Sequence, residues 1–424
     1  MEPEAFQDAS RKRVVLSGMH VLSDIREAWR HSRMYRGYAV LLLLAWIKQL
    51  FWPVWLIDSG EFAQAALNLW NGHWSACGEM TPCGQHWLEA TRRTPGYPVL
   101  IAITLHPAIL GFLQLLPALS VPLMVRQLGG VQLRLVLLLF LLYPLQFFYT
   151  AWPMPEIWAQ WLLLWGIASW QQGAWFRIPW IIVALLLLKP VFILLLPVSL
   201  YLFVKTRGGK RWLQLLPVLL LALVSLVNQQ RTGWFHYSSM GVENAWEYNR
   251  RAVLNRVNTE TEIALLERRY DILLERMTYR ERAQWMQQQT KEKIMAHPGL
   301  YAWLHAKGSI AVLLDPGRYD LFAFLGVASG KGFMGIKKTG AAYFQQPWPV
   351  LLYLGFFILL RLVILLLALR GFVQHRKKAD AWVMLGLLVL FCGVAGPVGS
   401  ARYLFPVAPM LFLLACRGMR RKPG

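Results

Sequence analysis

An all-α integral membrane protein is the fold class predicted by this 424-residue chain, which reads as a polytopic helical bundle of about ten transmembrane helices. Three observations predict it. Hydrophobic residues make up 56% of the chain, and the mean hydropathy is +0.39. Several apolar runs approach the ~20 residues that carry a helix across a bilayer. Hydrocarbon leaves every backbone N–H and C=O in need of an internal partner, so such runs are helical. Arginine and lysine, finally, fall between the runs in an alternating order.

The elements follow in order. Residues 1–36 form a basic segment with Arg11-Lys12-Arg13, Arg26, Arg30, Arg33 and Arg36. It is too long and polar for a cleavable leader and reads as a cytoplasmic amphipathic stretch. Residues 37–229 form an N-terminal transmembrane module, with spans predicted at 37–57, 107–126, 131–149, 156–172, 178–188, 190–204 and 211–229, and a first outer loop at 58–106. The fifth and sixth runs are short and split by Lys189-Pro190, which leaves tilted or re-entrant paths open to them. Residues 230–346 form an extracytoplasmic segment. Its 244–296 part has helical spacing, ended by His297-Pro298 because proline disfavours helical geometry in the residue before it. Gly299 to Leu314 reads as a helix lying on the membrane surface, and Gly326 to Gly340, with Lys331, Lys337 and Lys338, as a flexible basic loop. Residues 347–424 hold the last spans, predicted at 347–370, 382–397 and 402–418, and a basic tail.

Placing the N-terminus in the cytoplasm puts Arg126 to Arg134, Arg177, Lys205 to Arg211, Arg370 to Lys378 and Arg417 to Lys422 on the same side as it. The net charge, 44 − 22 = +22, is then explained by this asymmetry and by anionic membrane lipids. No nucleic-acid motif accompanies it, so no nucleic-acid partner is expected.

Cys77 and Cys83 share the first outer loop in Cys-Gly-Glu-Met-Thr-Pro-Cys, where glycine and proline favour a tight turn. An oxidising compartment favours a disulfide between them. A zinc site with His73 and His86 matches no standard spacing. Cys392 and Cys416 lie within spans as small buried hydrophobes.

Charged residues at the outer ends of spans are the candidates for chemistry, because charges at a membrane boundary are costly to dehydrate. Asp58 follows the first span, with Glu61 three residues on and on the same helical side. Asp58 suits a general base or a metal ligand, and equally an N-cap for the next helix. Glu156 opens the fourth span, either as an acid at a helix N-terminus or as a residue facing the Asp58 loop. These two acids are the candidates for any divalent cation. Lys189 either snorkels to the interface or meets a lipid phosphate. Arg402 sits outside against the positive-inside bias, which points to a phosphate or carboxylate partner, and Arg92 and Arg93 belong with it. His236, His297 and His305 read as hydrogen-bonded interfacial residues, and the aromatics of 230–248 either line a sugar or lipid groove or anchor the interface. Acids beside cations on one membrane face suit group transfer from a phosphate-bearing lipid.

Asp58 followed by Ala66-x-x-Leu69-x-x-Gly72, then Arg93-Thr-Pro-Gly-Tyr-Pro98, resembles the first extracytoplasmic loop of GT-C glycosyltransferases of the protein-mannosyltransferase and aminoarabinose-transferase branch. Pro155-Glu156, Lys189-Pro190 and Ala401-Arg402-Tyr403-x-x-Pro406 resemble its second acidic position, its basic-Pro step and its late Arg-Tyr element. The resemblance covers 37–230 and 347–418. It implies a GT-C-like bundle of the bacterial inner membrane, with both termini cytoplasmic and the site periplasmic. It also implies transfer of a hexosyl or pentosyl group from a polyprenyl-phosphate-linked donor to a lipid, glycan or protein acceptor, with inversion. Asp58 would be the catalytic carboxylate, with Glu61 and Glu156 beside it, and Lys189, Arg402, Arg92 and Arg93 would hold the donor phosphate. The chain departs from the family in lacking a large C-terminal soluble domain, in having Asp-x-x-Glu rather than an adjacent acidic pair, and in its 230–346 region. A polymerase or ligase of lipid-linked glycans and a non-catalytic lipid or glycan transporter are the alternative readings.

Overall fold

The computed structural model describes residues 18–54, 56–71, 91–104, 106–325 and 348–419; among them it is 85% helical and has no strand. Cys77, Cys83, His73, His86 and the Gly326 to Gly340 loop lie outside the described residues.

Three described helices are long and apolar enough to cross a membrane: Pro107–Gly129, Gly209–Thr232 and Leu351–His375. A fourth candidate is the pair Leu133–Leu141 and Leu145–Ala151, bent by 76° at the break that holds Pro144. The other predicted runs are helical but shorter or broken, each for a local reason. The helix of the first predicted span, Arg33–Phe51, follows the helix Gly18–His31 and stops before residue 57. The Gln49 amide bonds both the N–H and the C=O of Val54, at 3.2 and 2.8 Å, and Pro53 disfavours helix at Trp52. The fifth and sixth runs separate at Lys189, whose backbone is extended ahead of Pro190, at the break the sequence marks. The last run does not become a regular α-helix until Ala408; before it come the 3-10 turns Gly396–Val398, Ala401–Tyr403 and Phe405–Val407.

The main core is a continuous apolar cluster that includes Tyr38, Phe140, Leu164, Leu186 and Phe412, and the outer helices form two small clusters of their own around Trp246 and Val253. Backbone meets backbone where Trp348–His375 crosses Ala408–Met419. A Cβ on Gly371 would overlap the Leu414 carbonyl, and one on Gly418 would overlap the Leu367 carbonyl. Cys392 and Cys416 are buried, as expected.

The predicted outer helix over 244–296 is several helices. Thr259 and Thr278 each cap a new one with a reciprocal box to Glu262 and Glu281, so Glu260–Glu275 and Tyr279–Ala296 fold back separately. The helix ends at Ala296, before His297-Pro298. Pro298–Leu314, expected along a membrane surface, buries Leu304, Gly308 and Val312 and packs on the turns at 396–398 and 401–403. Trp303 and Ile310 stay exposed on its other side. This helix therefore braces the turn that carries Arg402.

Candidate functional site

Six separated chain segments converge on one ionic cluster. Ile57–Trp70 starts without a side-chain cap, so Asp58 is not an N-cap; it lies in the first turn with Glu61 one turn on. Both acids reach Arg93. Asp58 contacts the Arg93 Nη2 directly, and Glu61 Oε2 accepts from Arg93 Nε at 2.7 Å. The three-residue spacing places two carboxylates on one guanidinium, as the helical period requires. Arg92 Nη1 donates to Glu61 Oε1 at 3.0 Å, and its Nε stands 3.0 Å from Glu243 Oε2 as an ion pair.

Glu156 begins the Glu156–Gln171 helix but is more than a dipole partner. Its fully buried Oε1 accepts from Lys189 Nζ at 2.6 Å and from Arg402 Nε at 2.7 Å. Arg402 also contacts Asp58, so one guanidinium joins the first outer loop to the start of the fourth run. Lys189 therefore points into the cluster and does not snorkel alone. Glu156 Oε2 has no hydrogen-bond partner among the described residues.

Charge sets the protonation of the exposed members. Burial pushes the Asp58 carboxyl up, but the Arg402 and Arg93 guanidiniums, with Lys189 behind them, hold it far below the usual carboxylate range. Asp58 thus stays ionised. The two candidates for a divalent cation, Asp58 and Glu156, already bond Arg402, so this donor set does not fit a metal ion as arranged. Among the described residues no group of three or more His, Cys, Asp or Glu is arranged so that it could hold a metal ion.

The Arg-Thr-Pro-Gly-Tyr-Pro string has a structural explanation at each end. Tyr97 O–H donates to Gln114 Oε1 at 2.6 Å, and Gln114 Nε2 donates to the Thr150 and Trp152 carbonyls at 2.9 and 2.7 Å. Gln114 thereby ties the arginine loop to the chain that enters Glu156. Gly96 lies against Leu187, two residues before Lys189; a Cβ there would stand 2.7 Å from the Leu187 carbonyl oxygen. Gly96→Ala is expected to cost about 1–3 kcal/mol by overpacking and to weaken the Lys189–Glu156 pair. A melting temperature equal to wild type would contradict this.

A second, buried knot fixes the same loop from the outer segment. His236 Nδ1–H donates to the Trp234 carbonyl at 2.8 Å, which leaves Nε2 as an acceptor facing Thr91 Oγ1 at 2.8 Å and Tyr279 O–H at 2.9 Å. Those two hydroxyls lie 2.5 Å apart. Ser238 Oγ donates to the Arg92 carbonyl at 2.8 Å, and Ser239 N–H donates to the Thr91 carbonyl at 3.3 Å. Burial lowers the His236 pKa, against the pull of the Trp234 carbonyl, so the folded protein holds it neutral. An unfolded histidine takes up a proton near pH 6.5, so the knot's stabilisation is complete above about that pH and declines as pH falls below it. A melting temperature that drops between pH 7 and pH 5, less steeply in His236→Gln, is the expected result; identical slopes would argue against a neutral buried His236. His305 bonds Tyr301 at 3.2 Å, as an interfacial histidine would.

An open groove of about 500 Å³ borders the cluster, between Ile57–Trp70, Gly96–Thr104, Ile178–Leu188 and Leu216–Thr232. Its walls are mostly apolar, with Leu69, Pro98, Leu220 and Val224, and its cations are Arg93 and Arg231. Arg93 belongs to both groove and cluster.

Every described acid and cation singled out in the sequence is therefore in one network. Sequence reasoning missed Glu243, Gln114 and the His236–Thr91–Tyr279 knot. Glu243 carried a legible signal only in hindsight, as a buried acid in an apolar–aromatic stretch. No protein-family model matches the chain, and no curated protein or solved structure matches it.

Proposed function

We propose that this chain is a ten-span glycosyltransferase of the GT-C type in the bacterial inner membrane, transferring one sugar from a polyprenyl-phosphate donor to an acceptor on the periplasmic face. One observation carries the reading: Arg402 joins Asp58 and Glu156, with Lys189 on the same Glu156 oxygen, beside a groove that shares Arg93 with the cluster.

The chemistry follows from those groups. The acceptor oxygen attacks the anomeric carbon, and the bond from that carbon to the phosphate oxygen breaks. The electron pair leaves with the phosphate, where Arg402, Lys189 and Arg93 stabilise the growing negative charge. Asp58 takes the acceptor proton. Direct displacement inverts the anomeric centre. The groove's apolar walls suit an isoprenoid tail, and its cations suit the phosphate at the tail's head. The distribution of basic segments supports an outer position for the cluster, and the shorter helices complete the bundle if they cross obliquely or in broken form.

The test is reconstitution in liposomes with a panel of polyprenyl-phosphate sugars and mass spectrometry of the products. One added residue per acceptor, with release of polyprenyl phosphate, is the expected result. Transfer of a whole glycan block would instead identify a ligase.

A further inference from the structure

We propose that the donor is bound by ion-pair exchange: its phosphate takes Arg402 from Asp58 Oδ2, so that oxygen of the catalytic carboxylate is freed only when the donor is seated, while Oδ1 stays on Arg93. This rests on the functional reading above and specifies how that site is controlled.

The argument begins with a charge count. Among the described residues the cluster holds four cations (Arg92, Arg93, Lys189, Arg402) and four carboxylates (Asp58, Glu61, Glu156, Glu243), so 4 − 4 = 0. Each cation already touches at least one carboxylate. A neutral cluster has little net attraction for an anion, and no cation in it waits for a phosphate. A phosphate that enters must therefore displace an acid.

Exposure identifies which acid moves. The side chains of Asp58 and Arg402 are 18% and 23% exposed, whereas Arg93 is 4% and Glu156 0%. The Asp58–Arg402 and Glu61–Arg92 pairs are both open to an incoming head group, the latter at 24% and 24%, but of these two cations only Arg402 is also held by the fully buried Glu156, so it can exchange Asp58 for a phosphate without losing its place. Glu156 stays behind as the fixed partner that keeps Arg402 in place. Arg231 lines the groove with no carboxylate partner among the described residues, and gives the phosphate a first contact before the exchange.

The consequence is chemical order. While paired with Arg402, Asp58 is a poor base, because a guanidinium favours the ionised form. Displaced from it and next to a phosphate anion, it gains proton affinity and can accept the acceptor's proton. Water or acceptor arriving without donor meets a carboxylate that remains masked.

Binding of a polyprenyl phosphate to the full-length protein in nanodiscs, in chelator and at low salt, tests this. Removing a competing carboxylate should tighten binding: Asp58→Asn is expected to lower Kd by about tenfold, with the gain shrinking at high salt. Glu156→Gln is expected to act in the same direction. Asp380→Asn, whose ion pair with Arg417 lies outside the cluster, should leave Kd unchanged. Unchanged or weaker binding by Asp58→Asn and Glu156→Gln, with wild type binding normally, overturns the exchange and leaves the functional reading standing. Failure of wild type and every variant to bind the lipid overturns the functional reading itself.

Discussion

Asp58→Asn is expected to lower transfer by roughly 10²–10⁴-fold, the usual contribution of a positioned general base. The substitution keeps the side chain's shape and one oxygen for Arg93 and Arg402, so the helix and its contacts persist. What it removes is the negative charge and the site for the acceptor's proton. The carboxylate is partly exposed, and its partners Arg93 and Arg402 keep Glu61 and Glu156, so removing its charge leaves no fully buried group unpaired. Normal expression and melting with transfer lost is the expected pair of results, read by thermal unfolding and by turnover on one preparation. Near-normal turnover would remove Asp58 from the role assigned to it.

Arg402→Met is expected to have the larger effect on stability. Arg402 is the only described cation that touches both Asp58 and Glu156. Glu156 is fully buried, and Lys189 alone would have to neutralise it on an oxygen already shared. Breaking a buried pair by removing one partner typically costs about 3–5 kcal/mol, since the remaining charge is left uncompensated. Arg402→Lys should recover only part of this, because a single ammonium cannot reach two carboxylates as a planar fork does. Double substitution of Arg402→Met with Glu156→Gln should be milder than Arg402→Met alone, because it removes the stranded charge. A single Arg402→Met variant that melts like wild type would contradict the bridging role.

Much of this site was legible in the sequence because its charges sit where charges are expensive. Asp58, Glu156, Lys189 and Arg402 each stand at the end of an apolar run, and the structure brings them onto shared oxygens. The spacing of Asp58 and Glu61 put both carboxylates on one helical side, and the structure sets Arg93 against both. Their partnerships were not legible. Nothing at Lys189 or Arg402 says which acid it meets, since the pairing depends on contacts across more than thirty residues for one and more than two hundred for the other. Asp58 was equally readable as a helix cap; only the uncapped start at Leu56 decides against it.

Helix type was clear from apolar runs, but helix ends were less so. Gln49 stops the helix of the first predicted span through a side-chain bond to Val54 that no periodicity reports. The breaks at Thr259 and Thr278 did have a signal, the Thr-x-x-Glu box, hidden within a stretch of otherwise continuous helical spacing. Gln114 and the His236 knot were silent because buried polar residues become visible only once their partners are known.

The most direct test of the central claim is donor consumption by the purified protein in liposomes, with polyprenyl phosphate quantified by mass spectrometry. Wild type should cleave the sugar–phosphate bond of one donor in the panel and form one new glycosidic bond for each polyprenyl phosphate released, with Asp58→Asn forming neither. Movement of the intact lipid-linked sugar across the bilayer, with no bond cleaved, would contradict the account.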